Sequence, residues 1–533
     1  MGGGGDFSQP HKAKIHYYDI GDYLDRQSKL NIIQNFKSIE GIEKAGKFTL
    51  ITPNKDYDWI NQRDYSYLEF MPLGNVKTKL KALPKINGKV QLEFFEIFSQ
   101  GLITNRDAWC INFSKEHLET NMRLMIKNYN SEVENLENNP NYQPTMDSTK
   151  IKWTRALLND FNKKLKFNFN DNGLIVSSHY RPFTKCHLYL AKHFNEMLYQ
   201  MPQIYPTPQT KDINILDCGV ENEIYIKDFF KRNKYLPNLT ICISGIGGGK
   251  DFSLLISNDI TDMAFVPNSQ CFPLYYYEKI ESNKDEENLF DSSSNSQILT
   301  YRRKDAIRDE ALKEVRKIYK DESISKEDIF YYIYALLNHK GYKEKYKDNL
   351  SKMLPRIPFI KAFKEFVALG RELANLHLDY ENFADDSRAL AVAKADYKES
   401  GGLFVNKQNS KDFLANLKDE DFTLNKMRFV VKGKKDTIIF NDKIAVVNIP
   451  AKAYEYVVNG RSAIEWIMER YQVKIDKDSG IENNPNYYES ENGALKGLKG
   501  GKYALVLLLS VIEMSVRSVE ILDKLAQFTL DEI

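Results

Sequence analysis

The residue types best suited to phosphate chemistry lie at 243–253, ISGIGGGKDFS, where glycines and Lys250 follow an apolar run. A phosphate loop of the form G-x-x-x-x-G-K-[ST] surrounds the phosphates with backbone amides and places a final hydroxyl on magnesium. Here Ser244 replaces the first glycine, and Asp251 replaces the hydroxyl residue with a carboxylate that repels phosphate. The dinucleotide pattern also fails, because Lys250 stands at its third glycine. The segment therefore predicts a glycine turn between two strands, with Lys250 as a candidate phosphate contact.

The segment NILDCGVENE, residues 214–223, has the strand-Asp-x-Gly beginning of a methyl-donor loop. In such a loop the positions after the glycine are also small, so that the chain can pass close to S-adenosylmethionine. Glu221 and Glu223 occupy those positions here. This pattern therefore predicts a structural turn more than a cofactor site.

The sequence NNPNY occurs twice, at 138–142 and 483–487. It is close to the Asn-Pro-Pro-aromatic motif with which adenine methyltransferases hold the target amine and stack on the flipped base. Asn141 and Asn486 stand where the second proline is required. Both copies are therefore predicted to be turns.

The histidines and cysteines form no catalytic or metal-binding motif. His179, His187 and His193 lie near Cys186 without the spacing of a zinc motif, and the G-x-S-x-G and H-E-x-x-H patterns are missing. The five cysteines form no C-x-x-C pair, and no secretory signal opens the sequence. These observations predict a protein of the reducing cytoplasm with no metal, cofactor or catalytic residue in this chain.

Charge and hydropathy limit the partners. The 533 residues include 75 Lys and Arg against 73 Asp and Glu, a net charge of +2, so any nucleic-acid site must be a local basic patch. With 42% hydrophobic residues the chain can bury real cores. The longest apolar run, at 503–512, is about half the length that spans a bilayer, which predicts no membrane partner.

Periodicity predicts both helices and strands. Helical spacing marks 22–36, a helix capped by Ser114, an amphipathic helix at 304–320 and a long C-terminal helix, whereas strand patterns return at 427–449. The linker at 137–147 and the polar segment at 281–297 are the best boundaries. We therefore predict an α+β chain with three parts, residues 1–136, 137–297 and 298–533.

Several long stretches occur together in one order. They are KIHYYDIGDYL (14–24), ITPNKDYDWINQRD (51–64), GLITNRDAWCINFS (101–114), YRPFTKCHLYL (180–190), QCFPLYYYE (270–278), YYIYALLNHKGYKEKYKDNLSKMLPRIPF (331–359), GRELANLHLDYE (370–381) and VNGRSAIEWIMERYQVKIDKDSGI (458–481). By these residues the chain resembles the C-terminal part of Type ISP restriction-modification enzymes, in which nuclease, helicase, coupler, adenine methyltransferase and target-recognition parts follow in one chain.

The resemblance implies a mixed, multi-lobed target-recognition region with helical-bundle segments, preceded by a small remnant of an α/β methyltransferase domain. The strand at 14–20 would be the last part of that domain, and S-adenosylmethionine is expected only with the missing methyltransferase core. The implied function is sequence-specific recognition of double-stranded DNA, without catalysis by this chain alone. A separate chain with the methyltransferase, helicase and nuclease parts is the implied partner.

An alternative stays open on the residues alone. The chain would then be a complete S-adenosylmethionine-dependent adenine methyltransferase, with a donor site built from divergent loops at 214–223 and 243–253.

Basic residues in loops with aromatic or polar neighbours are the candidate DNA contacts, because arginine reads guanine and lysine binds phosphate. They are Arg106, Arg181, Lys185, Lys250, Arg302, Arg303 and Arg356. For each, the competing interpretation is a surface salt bridge or a contact that stabilises the fold.

Overall fold

The computed structural model describes residues 14–21, 24–86, 88–210, 212–247, 251–280, 298–395, 406–431, 433–491 and 495–533. The chain divides into two compact units, Met1–Glu69 and Phe70–Ile533. Each unit is described by itself.

The first unit contains a small antiparallel sheet and short helices. Strand Ile15–Tyr17 pairs with Thr49–Ile51, and the α-helices are Arg26–Phe36 and Ile39–Lys44. The helix predicted at 22–36 is thereby confirmed from Arg26 onward, where the Asp25 side chain accepts from the Ser28 amide and caps it. Neither helix has a buried residue. Leu30, Ile33 and Ile39 are exposed, whereas Ile32 and Phe36 are half-buried.

The second unit mixes helices with several small sheets. Its α-helices are Asp107–Cys110, Lys115–Asn138, Arg155–Asn162, Phe169–Asn172, Met201–Ile204, Val220–Asn233, Asp309–Tyr319, Lys326–Asn338, Lys340–Lys345, Lys347–Leu350, Phe363–Leu378, Lys407–Ala415, Ala463–Arg470 and Gly500–Leu525. The helix predicted to be capped by Ser114 is confirmed, because the Ser114 side chain accepts from the His117 amide.

Four sheets of the second unit have three or four strands. Their strand orders are Leu254–Ser257, Thr240–Ile243, Gln270–Pro273, Ser99–Gln100; Ile260–Thr261, Leu174–Arg181, Thr184–Leu190, Ile111–Asn112; Leu390–Ala393, Ile444–Val447, Lys434–Ile439, Arg428–Val431; and Ile213–Leu216, Leu299–Asp305, Tyr275–Ile280. Two-stranded pairs are Met71–Pro72 with Arg356–Ile357, Lys85–Ile86 with Lys89–Val90, Val457–Val458 with Arg461–Ser462, and Lys474–Ile475 with Glu482–Asn483.

Three long helices pack together in the core. Helix Lys326–Asn338 packs on Phe363–Leu378, which also packs on Gly500–Leu525. From Ile329 to Asn338 every residue of the first helix is buried. Gly370 permits the close approach, because an added Cβ would collide with the Tyr331 carbonyl oxygen.

The predicted glycine turn is confirmed as a connection between antiparallel strands, Thr240–Ile243 and Leu254–Ser257. Lys250 lies outside the described residues. The mixed helix and sheet content confirms the predicted α+β class. Strands pair across both predicted limits, because Ile111–Asn112 joins Thr184–Leu190 and Ile213–Leu216 joins Leu299–Asp305. The segments 1–136, 137–297 and 298–533 stay a prediction. No described helix is long and apolar enough to cross a membrane.

Candidate nucleic-acid interface

Arg106 is buried. It is 3% exposed, and its guanidinium donates to the Phe194 carbonyl at 3.0 Å and to Thr154 Oγ1 at 2.6 Å. Burial lowers its pKa. The side chain is therefore committed inside the fold, and its position favours the stabilising role over contact with DNA.

Arg181 and Lys185 are both ion-paired. Arg181 lies 2.6 Å from Asp262 Oδ1 and 3.2 Å from Asp107 Oδ2, and its guanidinium stacks 3.7 Å from the Tyr180 ring centroid. Lys185 Nζ lies 2.7 Å from Glu381 Oε2, and the lysine lines a polar cavity of about 300 Å³. Their side chains are 14% and 18% exposed.

Arg302 and Arg303 share the strand Leu299–Asp305. Arg302 Nε pairs with Asp217 Oδ2 at 2.8 Å, and the Arg303 guanidinium lies 4.2 Å from the Tyr275 ring centroid. Arg356 donates to the Phe70 carbonyl at 2.8 Å, which joins two segments distant in sequence. The structure thus gives each of these three residues an intramolecular partner, and contact with DNA stays a prediction.

One predicted residue, Arg181, lies in a group of cations whose other members the sequence analysis did not single out. We name this group the basic cluster. It consists of Arg181, Lys426, Arg461, Arg470 and Lys474.

A short helix, Ala463–Arg470, positions the centre of the basic cluster. Its N-terminus is a capping box, in which the Ser462 side chain accepts from the Glu465 amide and Glu465 accepts from the Ser462 amide. Trp466 is 6% exposed and donates from its indole to the Val458 carbonyl at 2.8 Å. These contacts fix the helix and its tryptophan in one orientation.

Two arginines lie against this tryptophan. The guanidinium carbons of Arg461 and Arg470 are 5.4 and 5.3 Å from the Trp466 ring centroid, within cation–π range. Glu469 pairs with both arginines. The Nε atom of Arg470 is buried and has no hydrogen-bond partner among the residues that the structure describes. The two guanidinium groups thus share the single carboxylate of Glu469.

The cations of the basic cluster repel one another. Burial lowers the pKa of Arg470, and the positive charges of Arg181 and Arg461 lower it further. The pKa of Lys474 is lowered by burial and by the charges of Arg470, Lys426, Arg461 and Arg181. Lys426, Arg461 and Lys474 are exposed. An anion that approached from solvent would relieve this repulsion.

The charge balance of the cluster is positive. Its five cations face three directly paired carboxylates, Glu469, Asp107 and Asp262, which leaves an excess of two positive charges. This local excess equals the net charge of the entire chain, +2. The arrangement suits a polyanion backbone better than a small neutral ligand.

Sequence reasoning missed Lys426, Arg461, Arg470 and Lys474. The last three lie within 458–481, a stretch quoted above for the family resemblance. A possible signal was the recurrence of basic residues around Trp466 in GRSAIEWIMERYQVK, but periodicity alone does not show that strand and helix bring them together. Within the described ranges, no group of three or more histidine, cysteine or acidic side chains is placed to hold a metal ion.

The chain is similar to known proteins. A family model described as the Type ISP C-terminal specificity domain matches residues 93–224 and 222–497. A search of curated proteins gives no match.

Solved structures are similar over nearly the whole chain. The ATP-dependent Type ISP restriction-modification enzyme LlaBIII bound to DNA has a TM-score of 0.72 and 33% identity, covering 98% of this chain and 28% of that one. A nuclease-deletion mutant of the Type ISP enzyme LlaGI in complex with a DNA substrate mimic has a TM-score of 0.70 and 33% identity, covering 98% and 33%. The DrdV–DNA complex has a TM-score of 0.68 and 27% identity, covering 98% and 44%.

The chain thus spans between 28% and 44% of the length of these three proteins. The family model covers most of the chain, and two Type ISP enzymes share 33% identity with it over 98% of its length. The chain therefore belongs to the family of Type ISP C-terminal specificity domains.

Proposed function

We propose that this chain is the specificity part of a Type ISP-like restriction-modification system, and that it recognises a sequence in duplex DNA without catalysing a reaction alone. The observation that carries this proposal is the basic cluster, where five cations lie within electrostatic reach of one another in a nearly neutral chain. The relatives were solved bound to DNA or a DNA mimic, which supports the same partner here.

The basic cluster binds the DNA backbone in this proposal. Exposed Lys426 and Lys474 present ammonium groups that bind phosphate as point charges, and Arg461 presents a planar guanidinium for bidentate contact. Trp466 and Glu469 hold the arginines in place before DNA arrives. Preorganisation of this kind reduces the entropy that binding costs.

The loop at 214–223 does not fit S-adenosylmethionine. Asp217, the carboxylate that a donor loop would use, pairs with Arg302 at 2.8 Å. The helix that follows carries Glu221 and Glu223 in its first turn, where the sequence of a donor loop requires small residues. We therefore assign no methyl transfer to this loop and expect the donor to bind a methyltransferase part elsewhere.

We further propose that a separate chain carries the methyltransferase, helicase and nuclease functions and that the system acts in the cytoplasm. Leu30 and Ile33 of the first unit are 47% and 57% exposed, and Trp59 is 57% exposed. Apolar groups in this number are suited to packing against another protein surface. The methyltransferase part is the proposed occupant, because this chain corresponds to 28% of the length of LlaBIII.

Selection from a random duplex library tests the proposal. The purified chain is mixed with the library at moderate salt, and bound duplexes are sequenced over successive rounds. Enrichment of one asymmetric sequence is the expected result, and recovery of the unselected distribution would contradict the proposal. Transfer of tritiated methyl groups from S-adenosylmethionine to duplex DNA by the chain alone, abolished by Asp217→Ala, would instead support the methyltransferase alternative.

A further inference from the structure

We propose that a protruding β-ribbon, Arg428–Val431 with Lys434–Ile439, enters the major groove and reads base edges while the basic cluster holds the adjacent phosphates. This proposal rests on the proposed function and names the element that makes the recognition specific. We refer to these two strands as the ribbon.

The ribbon extends from the edge of a four-stranded sheet. Arg428–Val431 is the edge strand. On its other side, Lys434–Ile439 pairs with strand Ile444–Val447 at Ile438 and Ile439. Lys434, Lys435 and Asp436 are all exposed, and Thr437 is the first buried residue of its strand. Because successive side chains point to opposite faces, this run of exposed residues means that both faces of the ribbon end meet solvent.

The dimensions of the ribbon fit a major groove. Three exposed residues in a strand advance about 10 Å, at about 3.3 Å per residue. The major groove is about 8.5 Å deep and is wide enough to admit a two-stranded β-ribbon. The part of the strand with exposed side chains is therefore about as long as the groove is deep.

The ribbon is attached to the basic cluster both at its root and along its exposed part. Lys426 belongs to the cluster and precedes the first strand by two residues. On the other strand, Lys435 Nζ pairs with Glu465 Oε1 at 2.8 Å, and Tyr454 donates to the Lys435 carbonyl at 2.7 Å. Glu465 lies on the helix that carries Arg470. The element that would read bases is thus fixed to the element that would hold phosphates.

The side chains of the ribbon suit base recognition. The described residues of this segment include four basic residues, Lys426, Arg428, Lys434 and Lys435, and one acidic residue, Asp436, so the segment is drawn toward DNA. Arg428 lies at the root of the ribbon, opposite Ile439. It is exposed and has no ion pair or hydrogen bond from its side chain within the described residues, so its long side chain is available for the O6 and N7 acceptors of guanine. Val430 and Val431 are 39% and 56% exposed, and their methyl groups match the thymine methyl in the same groove.

Substitutions separate base reading from phosphate binding. The sequence that the wild-type chain selects from a random library serves as the specific duplex, and a scrambled duplex serves as the nonspecific one. We expect Arg428→Ala and Val431→Ser to weaken binding to the specific duplex by roughly 5- to 150-fold, with little effect on the scrambled duplex. Lys474→Gln, in the basic cluster, is expected to weaken binding to both duplexes alike.

Matched controls exclude a general effect of removing an exposed residue. Arg155→Ala removes an exposed arginine outside the ribbon and the cluster, and Val457→Ser removes a valine that is 53% exposed. Neither should change the ratio of the two affinities. All five variants should unfold at the wild-type temperature, because the substituted side chains are solvent-accessible.

Dimethyl sulfate provides an independent readout, because it methylates guanine N7 in the major groove. We expect the wild-type chain to protect at least one guanine of the selected site and Arg428→Ala to lose that protection. If the wild type selects a sequence but the ribbon variants keep both the affinity ratio and the protection, the ribbon does not read bases. Its lysines would then serve only to prevent the edge strand from pairing with another chain. If the wild type selects no sequence at all, the proposed function fails and this proposal fails with it.

Discussion

Lys435 Nζ lies 2.8 Å from Glu465 Oε1, and this ion pair joins the ribbon to the helix that carries Arg470. The two side chains are 44% and 30% exposed, so solvent screens the pair. The pair therefore contributes more to the orientation of the ribbon than to the stability of the fold.

Glu465→Gln tests this role, because glutamine can still accept from the Ser462 amide and so keep the capping box. We expect the unfolding free energy to change by less than about 1 kcal/mol, since the pair is partly exposed. Limited trypsin digestion should cut after Lys434 and Lys435 faster than in the wild type. The affinity for the selected duplex should fall more than the affinity for a scrambled one. Unchanged digestion and unchanged discrimination would show that the pair does not orient the ribbon.

The basic cluster predicts a salt-dependent change in affinity that is independent of sequence. Each lost phosphate contact lowers the slope of log K against log salt by about 0.9. Lys474→Gln and Lys426→Gln should each produce such a decrease on specific and scrambled duplexes alike, measured by fluorescence anisotropy from low to high salt. Lys192→Gln, an exposed lysine outside the cluster, is the control and should leave the slope unchanged. Equal slopes for all three variants and the wild type would exclude phosphate contact by the cluster.

We expect substitution of Arg106 to lower the stability of the fold without lowering the affinity for DNA. Arg106→Met removes the donors to the Phe194 carbonyl and Thr154 Oγ1, and a buried hydrogen bond to a charged group is worth about 1.5–3 kcal/mol. We expect a destabilisation of roughly 2–4 kcal/mol, seen as a lower thermal midpoint. Affinity per folded molecule, titrated below that midpoint, should equal that of the wild type. A variant with wild-type stability and weak DNA binding would restore Arg106 as a DNA contact.

Elements that depend on nearby residues could be predicted from the sequence. Ser114 begins a helix because its hydroxyl satisfies an amide of the first turn. Gly247, with a φ of 76°, lies between two strands in the left-handed region that few other residues tolerate. These features depend on neighbours a few residues away, so a single sequence contains the information.

The candidate site depends on contacts between distant residues. Arg181 and Arg470 act on one another across almost three hundred positions, and Arg106 becomes structural only because Phe194 and Thr154 fold around it. A basic residue in a loop has the same local pattern whether it meets a carboxylate, a carbonyl or solvent. Tertiary packing decides between these outcomes, which is why composition and spacing could nominate Arg181 but not the rest of the cluster.

His377 predicts a stability that declines in mild acid. It is 3% exposed, its Nδ1 lies 2.6 Å from the Tyr334 hydroxyl and its Nε2 3.0 Å from Ser518 Oγ, and burial lowers its pKa from 6.5 to about 3. Between these two values the unfolded chain binds the proton and the folded chain does not, so stability is complete above about pH 6.5 and falls as the pH drops toward 3. The loss from this group approaches about 1.4 kcal/mol per pH unit. His377→Gln can keep one of these hydrogen bonds but cannot take up the proton, so its thermal midpoint should fall less steeply than that of the wild type between pH 6.5 and 5, even where its midpoint at pH 7 is lower. Parallel profiles would mean that His377 is protonated in the folded chain or shielded in the unfolded one.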